Sequence, residues 1–165
     1  VNPSVQHSRD NPVPAKATYQ HKDLADWARH QGLVIAWPPT VFPVNSVKAM
    51  RGCFVAEEHG KIAPYSRAVF EIYWGENQDI SQDDVLRDVC ARVGLEADEL
   101  FEKIADPVYK DRLKANTQEL MDRGGFGSPT TFVGGGDMYF GNDRTPLIRD
   151  AIERAGGARK VAAGS

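Results

Sequence analysis

A single β-hairpin near the end of an otherwise helical sequence is the feature that most constrains the fold. Residues 130–133 (Thr-Thr-Phe-Val) are β-branched or aromatic, a glycine-rich turn follows at 134–137, and residues 138–140 form a second short run. A two-stranded hairpin is marginally stable alone in water, because a stable sheet needs more strands or a helix packed against it. The sequence therefore predicts a further strand, which comes from a segment before Val1 or from another chain.

The residues before the hairpin are predicted to be helical. Apolar residues recur there with near-helical spacing, and capping residues, prolines and glycines mark where the segments begin and end. After the hairpin, a last helix is predicted to begin at Pro146 and to stop at Gly156 and Gly157. The predicted helices, with their capping residues, are residues 15–32, 45–60, 64–74, 81–94, 100–104, 106–125 and 146–155.

Composition excludes several classes of protein. The 165 residues suffice for one domain with room for a small second one. The 20 basic and 23 acidic residues give a net charge of −3, without the positive surplus that a nucleic-acid-binding protein needs. No stretch approaches the roughly 18 unbroken apolar residues of a membrane span. We therefore expect neither nucleic acid nor a membrane as a partner.

Cysteine and histidine usage gives no redox or metal motif. Cys53 and Cys90 are far apart and form neither a disulfide framework nor a CxxC pair, which favours a reduced, cytoplasmic location. The histidines show no spacing typical of metal ligands, so no metal is expected. They are His7, His21, His30 and His59.

The segment Gly127-Ser128-Pro129-Thr130 is the first candidate site. A proline directly before a strand cannot donate to the sheet, so it belongs at the first residue or at an edge. A cis bond between Ser128 and Pro129 would leave the Ser128 backbone exposed at a strand edge, where an extended peptide can bind. A trans bond is commoner for any residue before proline, and the local sequence favours it.

The segment 141–146 is the second candidate site. A glycine-led polar turn enters a helix N-terminus here, where free N–H groups and the helix dipole favour a carboxylate. Asp143 could hold an ammonium group, so the turn suits the zwitterionic head of an α-amino acid. The alternative is that Asp143 or Thr145 caps the helix, and spacing alone favours this capping role.

Other candidates have an ordinary structural explanation. Trp37, Phe42 and Trp74 could line a pocket for an aromatic ligand, although large aromatic residues belong more often to a core. Lys16, in the first turn of the first helix, is more often a solvated charge than an anion ligand. Ser128 has no histidine or aspartate partner at a hydrolase spacing.

Taken in order, the motifs resemble one family. They are Val13-Pro14-Ala15-Lys16, Phe42-Pro43-Val44-Asn45, Gly125-Phe126-Gly127-Ser128-Pro129-Thr130 and Phe140-Gly141-Asn142-Asp143-Arg144. This succession resembles the glutathione-dependent 2-hydroxychromene-2-carboxylate isomerases and the similar kappa-class glutathione transferases. Both belong to the DsbA-like group, an α/β thioredoxin fold with an inserted helical domain. The resemblance spans residues 13–155.

The resemblance implies a domain organisation. Residues 1–14 would be an extended part of the thioredoxin-like domain, 15–124 the helical insertion, 125–157 its C-terminal hairpin and helix, and 158–165 a flexible tail. Family members begin with a strand, a helix that carries a catalytic serine, and a second strand. This β-α-β segment is expected to precede Val1. Its expected length of about 45 residues is enough for such a unit, which requires about 30 or more. The resemblance therefore implies that no catalytic residue lies in these 165 residues and that they are inactive alone.

The resemblance also implies a glutathione site. In the family, the proline of the Gly-Ser-Pro-Thr motif is cis and the backbone before it pairs with the cysteinyl part of glutathione, which assigns these roles to Pro129 and Ser128. Asn142 and Asp143 would hold the γ-glutamyl head, and Lys16 the glycyl end. In the family, an asparagine lies a few residues before the Val-Pro-x-Lys motif. In this sequence His7 lies at the equivalent position, and Asn11 lies closer to the motif. An aromatic carboxylate substrate would lie near Trp37, Phe42 and Asn45.

The implied activity is ring opening and cis–trans isomerisation of 2-hydroxychromene-2-carboxylate or a similar compound in aromatic degradation. Three alternatives remain open. The chain could belong to a kappa-like transferase, to a thiol–disulfide oxidoreductase whose CxxC precedes Val1, or to a folded protein without activity. Similar proteins are often dimers, so a homodimer is also open.

Overall fold

The computed structural model describes residues 13–162, without the side chains of residue 17 and residues 157–162. The chain divides into two compact units, one of residues 12–115 and one that contains residues 116–165. We call them the helical unit and the hairpin unit. Some predicted features lie outside the described residues. They are the candidates His7 and Asn11, most of the predicted extended segment 1–14 and the last three residues of the predicted tail.

The described elements are seven α-helices, one π-helical turn, two strands and one 3₁₀ turn. Helix α6 begins in the helical unit and ends in the hairpin unit. In chain order they are α1 Pro14–Gln31, α2 Val47–Glu58, α3 Ile62–Phe70, the π-helical turn Glu71–Gly75, α4 Asp83–Val93, α5 Ala97–Ala105, α6 Pro107–Asp122, β1 Thr130–Val133, β2 Asp137–Phe140, the 3₁₀ turn Asn142–Arg144 and α7 Thr145–Ala162.

The core of the helical unit lies among α2 to α5 and the π-helical turn. Each helix contributes apolar residues three or four positions apart, which places them on one face. In α4, for example, Leu86, Val89 and Cys90 are all fully buried. The largest fully buried side chains of the described residues are Tyr65, Ile72, Leu86, Leu100, Val55, Val89 and Cys90.

Several predicted helix ends are confirmed. Gly32 and Gly94 follow α1 and α4 in the left-handed conformation, at φ 65° and 66°, where glycine avoids a Cβ clash. At the start of α6, Oδ1 of Asp106 accepts a hydrogen bond from the Val108 N–H at 2.8 Å. The predicted start of the fourth helix at Ser81 is wrong. Asp79 accepts the Ser81 N–H at 3.0 Å, and this local turn delays α4 to residue 83.

The third predicted helix is not uniform. It begins two residues earlier than expected, at Ile62, and its regular part ends at Phe70. The chain continues as a π-helical turn, Glu71–Gly75, which carries Tyr73 and Trp74. A pattern of apolar residues does not distinguish a π-helical turn from an α-helical one, because both keep the same residues near the core.

The hairpin unit contains the predicted β-hairpin. Its strands are antiparallel, with Thr130 opposite Phe140 and Val133 opposite Asp137. Helix α7 packs against β1, so the hairpin has the helical cover that a two-stranded sheet needs. Within residues 13–162, β1 pairs with β2 alone.

The predicted end of the last helix at Gly156 is wrong. Helix α7 continues through Gly156 and Gly157 to Ala162. A glycine in a helix costs about 1 kcal/mol relative to alanine and so need not end it. The flanking Ala-Arg-Lys residues favour helix and outweigh this cost.

Gly52 marks the closest approach between α2 and α3. A Cβ added there would lie 2.1 Å from the hydroxyl oxygen of Tyr65 and 3.4 Å from Cδ1 of Leu100. The buried Tyr65 hydroxyl donates to the carbonyl of Ala49 at 3.3 Å, one turn earlier on α2. A glycine inside a helix is unfavourable, and here this contact accounts for it.

We expect Gly52→Ala to destabilise the helical unit by about 1–3 kcal/mol, because the new methyl group overpacks the site. Tyr65→Phe removes the nearest atom, so the double variant should lose less stability than the two single variants together. Urea unfolding of all four proteins measures this coupling. Ala91→Gly, at an exposed position in α4, serves as the control for helix propensity. Strictly additive losses would contradict the packing explanation.

An ionic network joins α2, α5 and α6. The Lys103 ammonium lies 2.8 Å from carboxylate oxygens of both Glu58 and Glu99. Glu58 also accepts a hydrogen bond from the Tyr109 hydroxyl at 2.7 Å, and His59 lies 3.1 Å from Glu99. The hydrogen bonds from Lys103 and then from Tyr109 hold the pKa of Glu58 below its usual value of 4.5.

This network should make stability depend on pH. A carboxylate whose pKa is lowered on folding stabilises the protein above its unfolded pKa, and this contribution disappears as the pH falls through the folded pKa. Glu58→Gln should therefore lower the urea midpoint at about pH 7 and have less effect at about pH 3. Asp111→Asn, which breaks the exposed pair with Lys114, should change the midpoint little at either pH. An equal effect of Glu58→Gln at both pH values would contradict this role.

Candidate functional site

The two candidate segments of the hairpin unit meet at the open end of the hairpin. The Gly141 N–H donates to the Pro129 carbonyl at 3.1 Å, one step beyond the pair of Thr130 and Phe140. The turn at Ser128 and the turn at Asn142 therefore lie side by side, although fourteen positions separate them in the sequence.

The first of these turns has the backbone that the family resemblance implies. The bond between Ser128 and Pro129 is cis. The local expectation of a trans bond is therefore wrong, because the average preference of a bond before proline does not determine the isomer in a folded chain. Both residues are exposed. No main-chain hydrogen bond among the described residues involves Ser128.

The strand after this turn has one open edge. In an antiparallel pair, every second residue of a strand points its N–H and C=O groups at the partner strand. Since Pro129 bonds to Gly141, the residues of β1 that point toward β2 are Thr131 and Val133. The main-chain groups of Thr130 and Phe132 then face the other way, where no strand lies among the described residues. Such an edge can take up an extended peptide through main-chain hydrogen bonds.

The second turn presents a charged pair at the start of α7. The Asp143 carboxylate lies 2.5 Å from the Arg144 guanidinium, and the Thr145 hydroxyl donates to the Asn142 carbonyl at 3.4 Å. Neither Asp143 nor Thr145 accepts an N–H of the helix in the described hydrogen bonds. The expectation that one of them caps the helix is therefore wrong, because each side chain has another partner.

Two glycines allow these turns to approach closely. Gly141 has φ 114°, and a Cβ there would lie 2.8 Å from Oδ1 of Asp143. At Gly127, a Cβ would lie 2.7 Å from the Phe140 ring, which also packs on Phe126 with centroids 4.6 Å apart. A side chain at position 141 would displace the Asp143 carboxylate, and one at position 127 would displace the Phe140 ring.

This end of the hairpin unit suits the amino-acid end of a peptide. A carboxylate, a guanidinium and the N-terminus of an 18-residue helix lie within one turn. The carboxylate can bind an ammonium group, while the guanidinium and the helix N-terminus can bind a carboxylate. The sequence analysis includes Asp143 among the site residues but not Arg144. The position of Arg144 directly after Asp143 could have identified it as a partner for the ligand carboxylate.

The structure brings four of the five predicted glutathione residues into this one site. They are Ser128, Pro129, Asn142 and Asp143. The fifth, Lys16, is exposed in the first turn of α1 and belongs to the helical unit. Its predicted role in glutathione binding stays a prediction.

The predicted substrate residues lie in the helical unit. The rings of Trp37 and Phe42 have centroids 5.2 Å apart, and their exposed fractions are 38% and 46%. The expectation that they belong to the core is therefore wrong, because both rings lie on a surface loop. Oδ1 of Asn45 accepts the Val47 N–H at 3.2 Å. The N-cap position of α2 is Ser46, so the prediction that Asn45 caps this helix is wrong by one residue.

Neither cysteine is placed as an activated thiol. Cys90 is fully buried and Cys53 partly buried, and burial raises the pKa of both thiols. A raised pKa disfavours the nucleophilic thiolate.

The part of the chain that the structure describes has neither a cluster of metal ligands nor a helix that could span a membrane. It holds no group of three or more histidine, cysteine, aspartate or glutamate side chains that could bind a metal ion. None of its helices is long and apolar enough to cross a bilayer.

The family of the chain follows from comparison with known proteins. Residues 2–153 match the model of the DSBA-like thioredoxin domain. The chain belongs to this family, and its fold is the DsbA-like thioredoxin fold with a large helical part.

Two relatives are similar in sequence. The human protein "Glutathione S-transferase kappa 1" is 30% identical over 148 residues, which are 82% of this chain and 66% of the relative. The "2-hydroxychromene-2-carboxylate isomerase" of Pseudomonas putida is 28% identical over 144 residues, 86% of this chain and 68% of the relative. The chain thus spans about two thirds of the length of these relatives.

A solved structure of a 2-hydroxychromene-2-carboxylate isomerase has the same fold. It superposes with a TM-score of 0.76 at 24% identity, and covers 98% of this chain and 78% of that one. At this identity, the likeness concerns the fold alone.

Proposed function

We propose that this chain acts in a glutathione-dependent isomerisation of 2-hydroxychromene-2-carboxylate or a similar aromatic carboxylate. The proposal is supported by the hydrogen bond from the Gly141 N–H to the Pro129 carbonyl, 3.1 Å long. It places an open strand edge beside a turn suited to an amino-acid head, the two features that a short peptide with a free α-amino acid end requires. Two of its curated relatives bear the names of an isomerase and of a glutathione transferase.

The cysteinyl and γ-glutamyl parts of glutathione then each have a partner in the hairpin unit. The cysteinyl main chain pairs with Ser128 and the edge of β1, as a strand adds to a sheet. The γ-glutamyl ammonium binds Asp143, and its carboxylate binds Arg144 and the N-terminus of α7.

The proposed isomerisation requires the deprotonated form of the glutathione thiol, because the thiolate is the nucleophile. The thiolate adds to the conjugated substrate, the ring opens, a bond rotates, and the thiolate leaves unchanged, so substrate and product have the same mass. We assign activation of the thiol to none of the described residues. The family resemblance gives that role to a serine at a helix N-terminus.

A kappa-like glutathione transferase is the second candidate, supported by the 30% identity to the human kappa transferase. Both candidates use the same glutathione site and differ in the fate of the second substrate. An oxidoreductase would need a CxxC pair before Val1, and the human and Pseudomonas putida relatives bear the names of a glutathione transferase and an isomerase instead.

We expect Asp143→Asn to weaken glutathione binding by about 1.5–3 kcal/mol, the range for a hydrogen bond to a charged group. Calorimetric titration with glutathione, and with the analogue that carries 2-aminobutyrate in place of cysteine, measures the loss. The analogue should show the same loss, because Asp143 is assigned to the γ-glutamyl end. Asp150→Asn, exposed one turn along α7, is the matched control and should bind normally. Equal affinity of Asp143→Asn and the unaltered chain would overturn the assignment.

Product analysis distinguishes the two candidate reactions. With glutathione and 2-hydroxychromene-2-carboxylate, an isomerase yields a product of unchanged mass, whereas a transferase yields an adduct heavier by glutathione. The outcome expected for the chain together with the β-α-β segment that the family resemblance implies is a glutathione-dependent change in ultraviolet absorbance without an adduct in the mass spectrum. The 165 residues alone are expected to show no turnover. An adduct alone would replace the isomerase proposal with the transferase.

A further inference from the structure

A contact between an arginine and an aromatic ring joins the two ends of the segment that carries Ser128. The guanidinium carbon of Arg123 lies 3.7 Å from the centroid of the Phe132 ring. Arg123 directly follows α6, and Phe132 is the third residue of β1. A cation above an aromatic ring is attracted by the negative face of the ring. The contact therefore closes the segment 124–131, which contains the first turn of the candidate site.

A second partner orients the Arg123 side chain. Its Nη1 donates to Oε1 of Glu119 at 2.9 Å, one turn back on α6. The Arg123 side chain keeps 33% of its surface exposed, and Phe132 is partly buried. A contact between a cation and a ring is stronger where water is partly excluded. Because the guanidinium has both a carboxylate partner and a ring beneath it, its position is defined relative to α6 and to β1.

The closed segment has few hydrogen bonds of its own main chain. Its first two residues are bonded to the last turn of α6 through the Gly124 and Gly125 N–H groups. The N–H groups of residues 126–128 donate to no main-chain group among the described residues. Three of the four residues before Ser128 are glycines, the residue type that loses most conformational freedom when it is ordered. Side-chain contacts must therefore hold this turn.

Two other side-chain contacts act within the hairpin itself. The Thr130 hydroxyl donates to the Gly127 carbonyl at 2.6 Å, and the Phe126 ring packs on the Phe140 ring with centroids 4.6 Å apart. Both contacts join the turn to the strands. The stack of Arg123 differs from them, because it links the hairpin to α6 and so fixes the far end of the turn.

We propose that Arg123 is a positioning residue of the glutathione site, which holds the Ser128 turn in its binding conformation through the stack on Phe132. Its meaning for glutathione rests on the proposed function, whereas the ordering of the turn does not. The main-chain groups of Phe132 lie on the open edge of β1, so a displaced Phe132 would move this edge together with the turn. A turn that is already ordered binds a peptide at a smaller entropic cost than a flexible one.

Two substitutions remove one partner of the stack each. Arg123→Met keeps an unbranched side chain but removes its charge, and Phe132→Leu removes the ring. We expect each to weaken glutathione binding about 3- to 10-fold in calorimetry, the range for a cation–aromatic contact at a partly exposed site. Phe132→Tyr, which keeps a ring under the guanidinium, should recover the affinity that Phe132→Leu loses. Because both residues act through one contact, the double variant should lose no more affinity than Arg123→Met alone.

A measurement without glutathione separates positioning from direct contact with the ligand. Nitrogen-15 relaxation of the amides of residues 126–128 gives their order parameters on the full chain. We expect values near the roughly 0.85 of rigid backbone in the unaltered chain, and a fall toward about 0.6 in Arg123→Met and Phe132→Leu.

The helical unit offers a matched control for these variants. The Arg112 guanidinium carbon lies 4.2 Å from the centroid of the Phe54 ring, and its Nη2 lies 2.5 Å from Oε2 of Glu57. This is the same combination of arginine, ring and glutamate as at Arg123. Arg112→Met should therefore lower the urea midpoint to a similar extent, while the order parameters of residues 126–128 and the glutathione affinity stay unchanged.

The outcomes separate this proposal from the proposed function. A loosened turn together with weaker glutathione binding supports the proposal. Weaker binding by Arg123→Met with unchanged order parameters overturns it, because Arg123 would then contact glutathione itself. Additive losses in the double variant, or equal loosening of the turn in Arg112→Met, also overturn it. A turn that loosens in a chain without any affinity for glutathione supports the positioning by Arg123 and overturns the proposed function instead.

Discussion

One hydrogen bond organises the candidate site of the hairpin unit. By joining Gly141 to Pro129, it extends the hairpin ladder by one step and brings two polar turns together. The pairing of β1 with β2, which this bond continues, holds the Ser128 and Asp143 turns next to each other, and neither turn would define a ligand by itself. The glycines at 127 and 141 are part of the same arrangement, because a Cβ at either would clash with Phe140 or Asp143.

Features with a local cause could be predicted from the sequence. The glycine turn defines the hairpin and its register, and the aspartate–proline pair at 106–107 defines the start of α6. The π-helical turn and the exposure of Trp37 could not be predicted, because they depend on contacts such as that between Thr40 and Asn77, 37 positions apart. The cis bond at Pro129 was implied by the family resemblance and not by local preference.

The two units present different kinds of surface. The hairpin unit offers main-chain groups and a charged pair, which suit directional hydrogen bonds to a peptide. The helical unit carries the Trp37 and Phe42 rings on a loop that hydrogen bonds between Thr40 and Asn77 hold in place. Ring surface of this kind contributes to binding with few directional constraints.

The open edge of β1 has a consequence for handling the protein. Strand edges template the pairing of further chains, and natural proteins protect them with lysine, proline or bulges. Residues 130–133 carry no charge and no proline, and within residues 13–162 no strand or bulge protects this edge. The edge can therefore pair with a further strand, whether that strand comes from a segment outside the described residues, from a second chain or from a peptide ligand, and a lysine in place of Thr130 would disfavour such pairing.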